Sequence, residues 1–264
     1  MDAPHKFSSP ISSLGSSKLT QPLSGRIALV TGASRGIGRA TALSLAKAGA
    51  HVVAVARTVG GLEELDDEIK AIGGNATLVP LDLKDSDGIA RLGGALFDRY
   101  KKLDVLVGNA GILGPLSPLS HVAPKAWDDV MAINVTANWQ LIRCMEPLLV
   151  KSEAGRAVMI SSGVSWAARA YWGPYAVSKA ALNTMVQTWA AENMTTNLRV
   201  NLFTPGPVRT RMRAQAMPGE DPNTLATPDQ VAEKIIELCL PSFTETGKVY
   251  SYVKKKLLTF QQPE

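Results

Sequence analysis

The chain has 264 residues, 45% of them hydrophobic and 19% charged, a globular make-up whose length suits one α/β domain needing no disulfide or metal staples. Its net charge of +5 comes from Lys and Arg spread along the chain, with one short run at Lys254, Lys255 and Lys256. That spread argues against a nucleic-acid footprint and suits a small anionic ligand.

Residues 1–23 are rich in Ser and Pro, carry no apolar signal-peptide stretch and contain no Arg, the first being Arg26. They read as a flexible tail ahead of a domain at 24–253. No apolar run approaches the ~18 residues of a membrane span, so no membrane partner is expected. The two cysteines, Cys144 and Cys239, fall in apolar helical patterns. Free buried thiols fit a reducing, cytoplasmic setting. No metal is expected.

From Arg26 onward, short apolar runs alternate with longer amphipathic ones. Strands are predicted at 27–30, 52–56, 77–81, 105–107, 157–160, 199–203 and 249–252. Helices are predicted between them at 36–48, 61–72, 86–100, 125–150, 174–195 and 228–239. Strands that are apolar almost throughout read as buried on both faces. The expected fold is therefore a single-domain doubly wound parallel sheet of about seven strands, of Rossmann type, with helices on both faces. Residues 254–264 form a C-terminal tail that either packs on a neighbouring copy or stays loose.

The first strand runs into Thr31-Gly32-Ala33-Ser34-Arg35-Gly36-Ile37-Gly38 and then a helix. Gly32 allows a tight turn, Gly36 lets a pyrophosphate approach the backbone, and Gly38 lets the helix pack close. The helix N-terminus offers N–H groups to phosphates. Ser34, Arg35 and Ile37 belong to the same cofactor loop. At the end of the second strand, an acid would hold a ribose hydroxyl and suit NAD. Here Ala56 stands there, followed by Arg57. Arg57 and Arg35 converging on one spot suit a 2′-phosphate, so NADP(H) is expected ahead of NAD(H). Asp82, with Leu83 beside it, is placed either to accept from an adenine amino group or to cap the next helix.

The fifth strand ends in Ser161 and Ser162, and Tyr175 and Lys179 follow four residues apart, on one helical face. A free phenol titrates near 10, and a neighbouring ammonium would lower that value. The Ser162 hydroxyl is suited to hold a substrate oxygen. Asn134 is a poor helix former inside a predicted helix, with no structural reason visible.

These motifs, in this order, resemble the short-chain dehydrogenase/reductase family. The likeness covers the glycine loop, Asp82, Asn109-Ala110-Gly111, Asn134, Ser162, Tyr175 with Lys179, and Pro205-Gly206 followed by Thr210. It implies a catalytic tetrad of Asn134, Ser162, Tyr175 and Lys179. Tyr175 would pass the substrate proton, Lys179 would tune it and hold the ribose, Ser162 would polarise the carbonyl, and Asn134 would anchor a relay water. Val208 and Thr210 would hold the nicotinamide carboxamide. The family's usual Asn-Asn-Ala-Gly is here Gly108-Asn109-Ala110-Gly111. A narrower likeness, at Ile112-Leu113-Gly114-Pro115-Leu116, Trp127-Asp128-Asp129-Val130-Met131 and 205–222, is to a bacterial branch of oxidoreductases and says nothing of the substrate.

The substrate, a small carbonyl compound or alcohol, is expected to meet Val164, Trp166, Tyr171 and Trp172, under a lid bearing Arg209, Met212, Arg213 and Met217. Resemblance also implies a homodimer or homotetramer. Two rival readings keep the fold: a non-redox epimerase or dehydratase, which is usually a longer chain with a second domain, and a non-catalytic NADP-binding regulator, which often lacks the Tyr or the Lys.

Overall fold

The computed structural model describes residues 21–167 and 169–260. The strands are β1 (Ile27–Thr31), β2 (His51–Ala56), β3 (Asn75–Pro80), β4 (Val105–Gly108), β5 (Arg156–Ile160), β6 (Arg199–Thr204), β7 (Lys248–Ser251) and β8 (Lys256–Thr259). The helices are α1 (Gly36–Lys47), α2 (Val59–Ala71), α3 (Ser86–Tyr100), α4 (Pro124–Met131), α5 (Ala137–Leu149), α6 (Gly173–Glu192), α7 (Arg211–Ala216) and α8 (Pro228–Cys239). They build one eight-stranded sheet in the order β3-β2-β1-β4-β5-β6-β7-β8. Every pairing is parallel except the last, where β8 runs antiparallel to β7.

Side chains alternate along the strands, and each face gathers its own core. Ala28, Val30, Val52 and Ala54 pack with residues of α1, α2 and α8. Leu29, Val53, Leu106 and Met159 pack with residues of α3, α5 and α6 on the other face. This two-sided burial is what the continuous apolar strands require.

The structure adds detail to the expected fold at four places. The sheet has eight strands, because part of the presumed C-terminal tail folds back as β8; its Lys-rich sequence hides a strand that needs only an edge place. The N-terminal tail ends sooner than Leu23, whose side chain is fully buried in the core and whose N–H donates to Ala48 O at 2.9 Å. The rest of that segment, 1–20, lies outside the described residues. The long helix predicted at 125–150 is continuous, but its Ala132–Thr136 stretch between α4 and α5 is wound as a π-helix. Finally, α7 was not predicted, being too short for a periodicity to register. Both cysteines are free, and Cys239 is buried. Among the described residues no helix is long and apolar enough to cross a membrane.

Candidate active site

The C-terminal ends of β1, β2, β4, β5 and β6 open onto one cleft of about 850 Å³. Ligands of open parallel sheets bind at this edge, where strand order reverses; here β1 lies between β2 and β4.

One end of the cleft is the glycine loop. Gly32 and Gly36 adopt φ of +66° and +57°, the left-handed region that glycine enters at no steric cost. Gly32, Ser34, Arg35, Gly36 and Ile37 line the cleft, whereas Gly38 does not. Gly38 has the packing role: a Cβ there would stand 2.3 Å from Gly32 O and 2.4 Å from Asn109 Nδ2. Thr31 joins this loop to the one after β4, its Oγ1 accepting from Asn109 N and Ala110 N at 3.0 Å each. No side chain caps the start of α1, which leaves its first N–H groups without side-chain partners.

Next to the loop, Val55, Ala56, Arg57, Thr58, Leu81, Asp82 and Leu83 form the wall. Arg35 and Arg57 are exposed. Arg57 also stands 3.8 Å from Asp82 Oδ2, a pairing the sequence did not reveal. Asp82 Oδ1 accepts from Lys84 N at 3.0 Å. The cap of α3 is Asp85, which accepts from Gly88 N at 2.8 Å, so capping is not the role of Asp82.

At the other end, β5 delivers Ser162 and α6 delivers Tyr175 and Lys179 to the same wall. Lys179 donates to Ile160 O at 2.7 Å, and its Nζ is 5.8 Å from the centre of the Tyr175 ring. Burial pushes the Tyr175 phenol up to about 12, with Ser162 pulling the other way, and pushes Lys179 down to about 8. The expected lowering of the phenol by its lysine does not appear in this arrangement. Burial disfavours the charged form of either group, and the ammonium is aimed at a carbonyl.

Asn134 does have a structural reason for its place. It is fully buried and does not line the cleft. Its Oδ1 accepts from Ile112 N at 2.9 Å, and its Nδ2 donates to Ile112 O at 2.9 Å and to Ser178 Oγ at 3.0 Å. The π-helical segment presents it to the loop after β4, which it pins through Ile112. A Cβ on Gly111 would lie 3.2 Å from Asn134 Oδ1 and 3.6 Å from Lys179 Nζ, so loop, asparagine and lysine meet there.

Asn109, Ala110, Gly111, Pro205, Gly206, Val208 and Thr210 all line the cleft. Of the expected substrate residues, Trp172 and Met212 do too. Val164 and Met217 pack on the cluster of Leu113, Tyr175 and Ala216 without lining it. Trp166 and Tyr171 do not reach the cleft: Trp166 packs on Phe260 with centroids 6.1 Å apart, and Tyr171 is exposed at a left-handed φ of +73°. Their position between Ser162 and Tyr175 suggested the pocket, but position does not encode direction. Ile112, Leu113 and Gly114 were missed, although they directly follow Asn109-Ala110-Gly111. Arg211, Gln215 and Ala216 were missed with the helix that carries them.

The family model for short chain dehydrogenases matches residues 26–221. The chain belongs to the short-chain dehydrogenase/reductase family. It is 42% identical over 212 residues to the uncharacterized oxidoreductase YciK of Escherichia coli K12, which spans 79% of this chain and 84% of that one. A short chain dehydrogenase of Shigella flexneri, solved with NADP, superposes with a TM-score of 0.85 at 39% identity, covering 89% of this chain and 99% of that one. One from Escherichia coli CFT073, solved with NADPH, gives 0.83 at 39% identity, with 88% and 99% covered.

Proposed function

We propose that the chain is an NADP(H)-dependent oxidoreductase that moves a hydride between the nicotinamide and the carbon of a carbonyl or secondary alcohol. The observation that carries this reading is a single cleft with Arg35 and Arg57 at one end and Ser162, Tyr175 and Lys179 at the other. The residues present fit the cofactor. The left-handed glycines leave the backbone bare, the N-terminus of α1 has no side-chain cap, and Arg57 at the end of β2 and Arg35 in the glycine loop both line this end of the cleft, where either can meet a phosphate. The solved relatives with NADP and NADPH support the same choice. When bound, the cofactor supplies or takes up the hydride.

The chain's own residues do the rest. Backbone N–H groups of Ser34, Gly36 and Ile37 take the pyrophosphate. Asp82 and Leu83 receive the adenine, Asn109, Ala110 and Gly111 floor the middle of the cleft, and Pro205, Gly206, Val208 and Thr210 take the carboxamide end. Ser162 donates to the substrate oxygen, and Tyr175 transfers the proton to it. Lys179 holds the ribose side, and Asn134 fixes the loop beside it. A phenol held near 12 is protonated at neutral pH and so has a proton to give to a carbonyl oxygen. Leu113, Trp172, Met212 and Ala216 give the substrate end apolar contacts, with Arg213 beside them. The exposed Trp139, Val177 and Met194 on and beside α5 and α6 fit a homodimer or homotetramer of a cytoplasmic enzyme, checked by sedimentation velocity.

Paired fluorescence titrations test the cofactor. NADPH is expected to bind at least about tenfold more tightly than NADH, the order of one charge-assisted contact. Arg57→Ala with Ala56→Asp should reverse the order by replacing an attraction with a repulsion. Equal wild-type affinities would remove the NADP assignment and leave the fold and Tyr175 in place.

A further inference from the structure

After β6 the chain covers the chemistry end of the cleft with α7 and a loop returning to Ala226, which pairs with Val208 and accepts from Arg209 N at 2.9 Å. The inner face of this cover is small: Met212, Ala216 and Met217 pack around Tyr175, Leu113 and Trp172. A helix as short as α7 has no stability of its own, so its place depends on its anchors.

One anchor is a two-point ion pair. Arg213 donates through Nε and Nη2 to the two carboxylate oxygens of Glu220, each at 2.5 Å. The side chains keep 18% and 28% of their surface exposed, and Arg213 also lines the cleft. Arg213 holds the Glu220 carboxyl below its usual range, and Arg169 adds to the effect. Arg169 comes from the loop on the opposite flank and stands 5.5 Å from the ring centre of Trp172. Glu220 is thus paired with Arg213 and feels the charge of Arg169 from the segment before Tyr175.

We propose that Arg213 and Glu220 are positioning residues, a latch that holds Met212 and Ala216 over Tyr175 and sets how tightly the carbonyl substrate is held. The inference rests on the reading of Tyr175 as the reacting group. The planar guanidinium fork fixes orientation as well as distance, which a lone charge would not.

The test is hydrogen exchange on the full chain, with steady-state kinetics on a carbonyl selected by NADPH oxidation. In Glu220→Gln, amides of 211–217 should exchange about three- to tenfold faster, the scale of a partly solvated ion pair. The core strands should keep wild-type protection. KM for the carbonyl should rise by a similar factor, while kcat and NADPH affinity stay at wild-type values. Glu220→Asp, which keeps the carboxylate, should retain most of the wild-type protection and KM. Unchanged exchange and KM in Glu220→Gln would overturn the latch, as would equal losses in Glu220→Asp and Glu220→Gln. Full activity in Tyr175→Phe would instead fault the reading of the site, while the exchange result stands on the protein alone.

Discussion

Lys179 and Tyr175 are buried groups whose protonation is tied to folding. Lys179 falls from 10.5 to about 8, so between those values the unfolded chain binds a proton that the folded chain has released. Stability from this group therefore rises as pH climbs from about 8 to 10.5, and below about 8 the folded state carries a buried ammonium. Tyr175 has the opposite sign: its contribution is complete below 10 and is lost as pH rises towards about 12. Lys179→Met should then fold more stably than wild type at pH 7, by about 1–3 kcal/mol, while losing turnover. Thermal melts should show that difference shrinking between pH 8 and 10.5. A variant less stable than wild type at pH 7 would mean that the bond to Ile160 O outweighs the buried charge. The residue types and the spacing of this pair are plain in the sequence. Burial is not, and burial reverses the sign expected for the phenol.

At the level of elements, the glycine loop was legible because each glycine answers a local demand. Gly38 is the sharpest case, with backbone oxygen and the Asn109 amide where a Cβ would go. Gly38→Ala should destabilise the protein by about 1–3 kcal/mol through overpacking and weaken NADPH binding with it, read by melts and titration. Unaltered melting and binding would show that α1 has room to shift. The π-helical segment was not legible, because apolar periodicity reads straight through one widened turn. Asn134 was its only trace, a polar residue where a helix gains nothing from one, with its amide partners on a loop distant in sequence. Strand β8 and helix α7 escaped for a related reason: both are short, and tertiary contacts decide them.

Over the whole molecule, the alternation of strands and helices sets the topology, and the topology brings residues as distant as Gly32 and Thr210 to one cleft. That gathering follows from parallel strands whose C-terminal ends share an edge. Which aromatics turn inward does not follow, as Trp166 and Tyr171 demonstrate. The central claim is that the cofactor end and the tyrosine end of this cleft work as one oxidoreductase site. It is tested by mixing excess NADPH-loaded wild type and Tyr175→Phe with a panel of carbonyls in a single turnover, with NADPH affinity measured on the same samples. Wild type should oxidise its NADPH against at least one carbonyl. Tyr175→Phe should be slower by about 10²-fold or more, at unchanged NADPH affinity. Near-wild-type turnover in Tyr175→Phe would contradict it.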